Sequence, residues 1–237
     1  MRRDNSLKVK LVRKLTIIVA GGSGTRMGAA VPKQFLPLGG RPVLMRTIEA
    51  FLAVPGMRVV LVLPAAQVEV WRDLCRKHGF VADYDVANGG STRFESVRNG
   101  LALQNGEEVI GVHDGVRPLV TPQFISRLFA DAQTFGSAIP ALPSVESVRI
   151  IMPDGTSRAE DRARVFMVQT PQVFRSNLLL KAYARPYSPL FTDDASVVEA
   201  DGAQVHVSEG LRGNIKLTTP DDMLSAEAIL QRVGGPL

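Results

Sequence analysis

Short apolar runs and longer amphipathic stretches alternate along this chain, and that alternation limits the fold more than any other feature. Thr16–Ala20, Val59–Leu63 and Val109–Val112 are mainly apolar runs of strand length, as expected of strands buried on both faces. The stretches between them space their apolar residues as amphipathic helices do. The alternation predicts an α/β fold, a mostly parallel twisted sheet with helices on both faces. Ligands of such sheets bind at the carboxyl ends of the strands.

The same patterns give approximate bounds for the other elements. Two further strands are expected at Ala138–Ala141 and Gln204–Val207. Helices are predicted at Val43–Ala53, Ala65–His78, Thr92–Leu103, Thr121–Phe135, Ser176–Ala184, Asp193–Ala200 and Pro220–Gln231. Because no low-complexity linker or internal repeat is visible, we expect a single domain over residues 15–237.

The alternation stops between about Pro143 and Gln169. Val145–Ile151 alternates apolar and polar residues, Pro153–Gly155 is a turn signal, and an arginine-rich stretch follows. This pattern predicts a β-hairpin arm that projects from the domain. A hairpin cannot bury both of its faces alone, so we expect the arm to pack on a second copy of the chain in a homodimer.

The basic charge of the chain is concentrated at its start. The 237 residues carry a formal charge of +5, and residues 1–14 hold six of the 28 basic residues but one of the 23 acidic residues. The remainder is therefore neutral. We expect a basic, flexible tail over residues 1–14 and no nucleic-acid partner.

Targeting and membrane signals are weak. No run approaches the roughly 20 apolar residues that span a bilayer, and Cys75 is the single cysteine. The apolar segment after the basic tail is too short for a signal peptide and lacks a small-residue cleavage site. These features predict a cytoplasmic protein with no membrane partner.

A glycine-rich loop, Ala20–Gly28, follows the first predicted strand. Backbone N–H groups of such a loop can surround a phosphate. Its glycines are spaced one residue too widely for a dinucleotide fingerprint, no P-loop lysine follows, and Thr25 stands where a nucleophile elbow needs glycine. Arg26 and Lys33 add two cations, which favours a triphosphate over the alternative of a flexible turn with solvated side chains.

Six motifs carry a resemblance to a known family. They are AGGSGTRMGAAVPKQFLPLGGRPVL from Ala20, GGSTR from Gly89, VHDGVRP from Val112, QTPQVF from Gln169, TDDAS from Thr192 and GNIKLTTPDD from Gly213. The first resembles the opening signature of sugar-phosphate and alditol-phosphate nucleotidyltransferases. Together they are most similar to the 2-C-methyl-D-erythritol 4-phosphate cytidylyltransferase family, over residues 15 to 230. A Rossmann-like nucleotidyltransferase fold follows from the resemblance.

The resemblance implies that CTP and methylerythritol phosphate react to give the cytidine diphosphate derivative and pyrophosphate, with Mg²⁺ as cofactor. The nucleophile is a phosphate oxygen, which is already ionised near neutral pH. No general base is needed, in agreement with a chain that has only three histidines. His113 is expected to be a packed strand-end residue rather than a ligand.

The resemblance assigns residues to two substrates. Arg26, Lys33, Arg162 and Lys216 would be catalytic, and Arg26 and Lys33 would stabilise charge at the α-phosphorus. The nucleotide would contact Ala20, Gly21, Gly22, Ser23, Gly24, Lys33, Gly89, Gly90, Arg93, Ser96 and Asp114. The acceptor would contact Asp114, Arg117, Arg162, Thr192 and Lys216.

Several of these residues have alternative interpretations. Ser91 or Thr92 can simply cap a helix, and Thr192 can begin one. Arg117 can be the ion partner of Asp114 in a turn. Asp114 is also the one candidate magnesium ligand, although the phosphates would hold most of the metal. Arg162 could serve the active site of the partner subunit.

Two other functions remain open at this point. Ribitol-5-phosphate cytidylyltransferase shares most of these motifs and is the nearest alternative. A nucleotide-binding regulatory domain that has lost catalysis is an alternative of a different class, and the retained Arg26, Lys33, Asp114 and Lys216 argue against it. A dehydrogenase is disfavoured by the glycine spacing.

Overall fold

A central mixed sheet organises the fold. The structure, a computed structural model, describes residues 12–21 and 31–234. The strands are β1 (Lys14–Val19), β2 (Pro37–Leu38), β3 (Arg41–Pro42), β4 (Met57–Leu63), β5 (Asp85–Asn88), β6 (Val109–Asp114), β7 (Ser137–Pro143), β8 (Val148–Ile151), β9 (Ser157–Glu160), β10 (Phe166–Val168), β11 (Gln172–Arg175) and β12 (Val207–Glu209). The helices are α1 (Val43–Leu52), α2 (Ala65–Lys77), α3 (Arg93–Leu101), α4 (Pro122–Phe135), α5 (Ser176–Tyr183), α6 (Asp194–Ala200) and α7 (Pro220–Gly234).

The parallel half of the sheet has the strand order β5-β4-β1-β6. Val19 at the end of β1 stands opposite Val62 of β4 and Asp114 of β6, so the carboxyl ends of these strands meet at one edge. Beyond β6 lies β11, which is antiparallel to both β6 and β7. The strand order reverses next to β1, which is the switch point where α/β sheets bind ligands.

Helices cover both faces of the sheet, as the alternation predicts. On one face α1, α2 and α4 bury a cluster that includes Phe51, Trp71 and Phe129. On the other face α3, α5 and α6 bury a second cluster that includes Phe94 and Tyr183. Side chains of β1 pack into both clusters, Ile17 into the second and Ile18 into the first, which is why the strand is mainly apolar.

The predicted arm consists of β8 and β9, which pair only with each other among the described strands. Its apolar side chains are unusually exposed: the exposed fraction is 63% for Val145 and 68% for Ile151. The prediction for the end of the arm is wrong in one respect. β10 pairs with β7, so Phe166–Val168 belongs to the central sheet.

Two other predicted bounds differ from the structure. Lys14 begins β1 and donates to the Pro55 carbonyl oxygen at 3.3 Å, so the end of the predicted tail belongs to the sheet. Residues 1–11 of that tail lie outside the described residues. The last strand covers Val207–Glu209 rather than Gln204–Val207, because pairing with β7 buries Ser208 and leaves Val207 exposed. No described helix is long and apolar enough to cross a membrane.

Candidate active site

A cavity of about 360 Å³ opens at the carboxyl ends of the parallel strands. Ala20 and Gly21 follow β1, Pro64 follows β4, and Gly89 and Gly90 follow β5. We call it the first cavity. The predicted nucleotide-binding residues that line it are Ala20, Gly21, Lys33, Gly89, Gly90, Arg93, Ser96 and Asp114. The other three, Gly22, Ser23 and Gly24, lie outside the described residues, as does the predicted catalytic residue Arg26.

A second cavity of about 330 Å³ adjoins the first. Four of the five predicted acceptor residues line it: Asp114, Arg117, Thr192 and Lys216. Arg93, Asp114 and Lys216 line both cavities, and we call these three residues the shared wall. The sequence-based division into a nucleotide group and an acceptor group thus corresponds to two neighbouring spaces with a common boundary.

Asp114 is the electrostatic centre of the shared wall. Its Oδ2 lies 3.0 Å from Lys216 Nζ and 3.3 Å from Arg117 Nε, and its Oδ1 lies 3.9 Å from Arg93 Nε. Burial by itself would raise the pKa of this carboxyl group. The three cations outweigh burial and hold the pKa of Asp114 well below its usual range. Asp114 therefore stays ionised and fixes the positions of the cations around it.

Arg117 is the ion partner of Asp114, as one of the two interpretations of the sequence expected. It is buried, and its Nη1 also donates to the Asn214 carbonyl oxygen at 2.9 Å. Burial lowers the pKa of Arg117, and the Asp114 carboxylate opposes that shift. The Leu217 backbone N–H donates to the Val116 carbonyl oxygen at 3.0 Å. These bonds tie the Lys216 segment to the loop that follows β6.

His113 is a buried strand-end residue next to Asp114. Its Nε2 lies 3.1 Å from the Arg117 carbonyl oxygen, and its Nδ1 lies 3.0 Å from Thr170 Oγ1. A carbonyl oxygen can only accept, so Nε2 carries the proton and Nδ1 accepts from the Thr170 hydroxyl. Burial lowers the pKa of His113 to about 4, which keeps the ring neutral at physiological pH.

The Gly89–Thr92 loop, which follows β5, is held by hydrogen bonds to the first turn of α3. Thr92 caps α3, and its hydroxyl oxygen accepts from the Glu95 backbone N–H at 3.1 Å. The Glu95 carboxylate accepts from the backbone N–H groups of Ser91 and Thr92, at 2.7 and 3.2 Å. Ser96 Oγ accepts from the Gly90 N–H at 3.1 Å and donates to the Thr92 carbonyl oxygen at 2.9 Å. Ser96 therefore shapes the loop as well as lining the cavity.

The segment before α6 corrects the prediction for Thr192. Asp193, rather than Thr192, is the capping residue of α6, and it forms a reciprocal capping box with Ser196. The Thr192 N–H donates to Ser196 Oγ at 3.1 Å. Because the cap uses Asp193, the Thr192 side chain is not needed to begin the helix, and Thr192 lines the second cavity.

Among the predicted site residues that the structure describes, Arg162 is the one that lies away from both cavities in a single chain. It lies in a one-turn 3₁₀ helix on the arm, is exposed, and donates to the Val145 carbonyl oxygen at 3.0 Å. It lines neither cavity.

The sequence model of the IspD family, 2-C-methyl-D-erythritol 4-phosphate cytidylyltransferase, matches residues 15–232. The chain belongs to this family. It is 52% identical over 218 residues to the protein of that name from Bacteroides fragilis, which covers 92% of this chain and 99% of the relative. The corresponding protein of Phocaeicola vulgatus is 53% identical over 215 residues, with 90% and 98% covered.

A solved structure agrees with this family assignment. The 4-diphosphocytidyl-2C-methyl-D-erythritol synthase of Anaerococcus prevotii is similar with a TM-score of 0.79 and 29% identity, over 93% of this chain and 97% of that one. The α/β fold predicted from the sequence is thus the fold of the family.

Metal-binding side chains are not clustered in the part of the chain that the structure describes. No group of three or more His, Cys, Asp and Glu side chains among them could hold a metal ion. Asp114, the candidate magnesium ligand, already faces three cations, which compete with a divalent metal for its oxygens.

Sequence reasoning missed several residues of the two cavities. Gln34 lines the first cavity, is fully buried, and donates through Nε2 to the Ala20 carbonyl oxygen at 2.8 Å. Its position directly after Lys33 was the available signal. Gln169 and Gln172 line the second cavity, and Gln172 Nε2 donates to Asp193 at 2.8 Å. These two glutamines lie in a quoted motif but were not assigned a role.

Proposed function

We propose that this chain joins CTP and 2-C-methyl-D-erythritol 4-phosphate, giving 4-diphosphocytidyl-2-C-methyl-D-erythritol and pyrophosphate, for non-mevalonate isoprenoid precursor synthesis. Membership of the family supports this activity. The observation that carries it to the residues is the shared wall. Two adjoining cavities whose common boundary holds the cations Arg93 and Lys216, fixed by Asp114, suit two phosphate-bearing substrates that must meet. CTP would occupy the first cavity and the acceptor phosphate the second.

The reaction requires the protein to stabilise negative charge and to position the two substrates. An oxygen of the acceptor phosphate attacks the α-phosphorus of CTP, the bond from that phosphorus to the bridging oxygen breaks, and pyrophosphate leaves with the electron pair. The nucleophile is ionised already, so proton transfer is not required. Lys33 and Arg26 would stabilise the charge that develops at the α-phosphorus, and Lys216 would bring the acceptor phosphate to the shared wall. Mg²⁺ would enter with the triphosphate.

Selection of cytosine would come from the Gly89–Thr92 loop. The N–H groups of this loop are engaged: Gly89 donates to the Leu63 carbonyl oxygen at 2.8 Å, and those of the next three residues donate to Ser96 or Glu95. The loop therefore meets a base edge with carbonyl oxygens, which accept hydrogen bonds. Cytosine has an exocyclic amino group to donate at that edge, whereas uracil has a carbonyl oxygen there. CTP should be preferred over UTP.

The acceptor site would be completed by a homodimer. The arm carries exposed apolar side chains that a second copy could cover, and it carries Arg162. In the dimer Arg162 would enter the second cavity of the partner subunit and contact the acceptor phosphate beside Lys216 and Thr192. The partners would thus be small-molecule substrates and a second copy of the chain, in the cytoplasm.

The experiment is an initial-rate assay of pyrophosphate release by the purified chain with CTP and two acceptors. Methylerythritol phosphate is expected to give the higher kcat/KM. A higher value with ribitol 5-phosphate would replace the proposed acceptor, and no release with either acceptor would exclude a cytidylyltransferase.

A further inference from the structure

A buried ion pair joins the two substrate cavities from behind the shared wall. Arg93 Nη1 and Nη2 donate to the two oxygens of Asp194, at 2.9 and 2.7 Å. Tyr183 donates its hydroxyl to Asp194 Oδ1 at 2.6 Å. Asp194 is fully buried and Tyr183 nearly so, and neither lines the first or the second cavity, whereas Arg93 lines both. The buried members of the group thus reach the cavities only through Arg93.

The positions of the pair in the chain make it a link between two loops. Arg93 is the first residue of α3, directly after the Gly89–Thr92 loop that lines the first cavity. Asp194 is the first residue of α6, directly after Thr192 and Asp193, which line the second cavity. A bidentate arginine–carboxylate pair has a fixed geometry. The pair therefore sets the distance between the loop of one cavity and the loop of the other.

We propose that Asp194, assisted by Tyr183, is a positioning residue for the transfer reaction. It holds the Arg93 guanidinium at the shared wall, where the acceptor phosphate meets the α-phosphate of the nucleotide. This inference rests on the proposed function. A guanidinium has five N–H donors and the pair uses two of them, so Arg93 can be held and can still donate toward either cavity.

The charges around Arg93 agree with a held guanidinium. The two Nη atoms of Arg93 contact Asp194, which also accepts from Tyr183, and the Nε atom lies 3.9 Å from Asp114 Oδ1. Burial disfavours the charged form of Arg93, but the Asp194 carboxylate outweighs burial and raises the pKa of Arg93. Arg93 therefore keeps its charge at physiological pH.

The test is a double-mutant cycle measured by pyrophosphate release, with KM for each substrate and kcat as separate readouts. Asp194→Asn and Arg93→Gln should each raise the acceptor KM and lower kcat. In each variant kcat/KM for the acceptor should fall by about tenfold to a hundredfold, as expected when reacting groups are misplaced by about 1 Å. Because Asp194 acts through Arg93, the double variant should be within about twofold of Arg93→Gln alone. Multiplying effects, or unchanged KM values in Asp194→Asn, would overturn the proposal.

Asp201→Asn is the matched control. Asp201 follows α6 at its other end and pairs with Lys181 of α5 and with Arg185, which lies two residues after α5. This change therefore removes ion pairs between α6 and the α5 region without touching either of the two cavities. Its kinetic constants should equal those of the wild type. A loss in Asp201→Asn as large as in Asp194→Asn would show that any break between α5 and α6 has the same effect, and would overturn the positioning role.

A second variant covers the case in which Asp194→Asn does not fold. Tyr183→Phe keeps the aromatic ring, which stacks on Phe94 at 4.7 Å, and removes only the hydroxyl that donates to Asp194. It should fold and raise the acceptor KM by a few fold, and unchanged KM values would overturn the proposal. The wild type is assayed first. An inactive wild type removes the proposed function and this inference together, whereas an active wild type with an additive cycle removes only the inference.

Discussion

At the residue scale, the site depends on fixed charges rather than on a titrating catalyst. Asp114 is held ionised by its cationic neighbours, and His113 is held neutral by burial. Neither changes charge near neutral pH. A reaction whose nucleophile is an ionised phosphate needs no proton acceptor, so this arrangement suits the proposed chemistry.

Under mildly acidic conditions, the stability of the fold should depend on His113. The pKa of His113 is lowered from 6.5 to about 4, so between these values the unfolded chain binds a proton that the folded chain does not. The free energy of unfolding must then fall as the pH falls through that window. We expect ~2 kcal/mol less stability at pH 5 than at pH 7 from this group. Chemical denaturation measures it, and an equally steep dependence in His113→Gln would contradict the assignment.

Lys33 should be needed for turnover far more than for folding. It lines the first cavity, and loss of one well-placed donor to transition-state charge costs ~10²–10³ in rate. Lys33→Ala is expected to lose kcat by that factor, and Lys33→Arg should recover only part of it, because a planar fork does not replace a point charge. Lys77→Ala, which removes an exposed lysine of α2, is the control. Near-normal kcat in Lys33→Ala would exclude Lys33 from the mechanism.

At the scale of elements, the loop after β5 shows why a glycine is required beside a capped helix. A Cβ on Gly90 would lie 2.3 Å from the Cβ of Glu95, the residue that closes the capping box of α3. A Cβ on the neighbouring Gly89 would meet no atom closer than 3.5 Å. The same local structure therefore tolerates a side chain at one glycine and excludes it at the next.

Gly90→Ala is accordingly expected to destabilise the chain by ~1–3 kcal/mol, the usual cost of forcing atoms into a packed site. The loop must shift to relieve the contact, so CTP binding should weaken as well. Gly89→Ala is the matched comparison and should keep wild-type stability. Thermal unfolding of the two variants side by side measures the difference, and equal melting temperatures would contradict the structure of the loop.

The elements also show what the sequence could and could not predict. β1, β4 and β6 could be predicted from their apolar runs, because strands buried on both faces are apolar at nearly every position. β11 was not predicted as a strand, because its antiparallel place between β6 and β7 depends on contacts far apart in the chain. The pair of Arg93 and Asp194 spans 101 residues and leaves no local pattern either.

At the scale of the whole molecule, one chain brings together all the described site residues except Arg162. The arm that carries it exposes apolar side chains such as Val145 and Ile151. Apolar patches of this kind mark interaction sites. A homodimer in which each arm completes the site of the other subunit accounts for both features.

Complementation tests that arrangement. Arg162→Ala and Lys33→Ala homodimers should each be nearly inactive. After the two variants are mixed and the subunits exchange, one site of each heterodimer has an intact Lys33 and receives an intact Arg162 from the partner. About a quarter of wild-type activity should return, because half of the dimers are then mixed and each has one complete site. No recovery despite proven exchange would place Arg162 in its own subunit's site or outside catalysis.

The central claim is nucleotidyl transfer across the shared wall, and the fate of the phosphates of CTP tests it most directly. The purified chain is incubated with methylerythritol phosphate and CTP labelled with ³²P at either the α- or the γ-phosphate, and the products are separated. Attack at the α-phosphorus predicts that the α-label enters the cytidine diphosphate product and the γ-label leaves in pyrophosphate. A γ-label in the methylerythritol product would mean phosphoryl transfer instead, and would contradict the account.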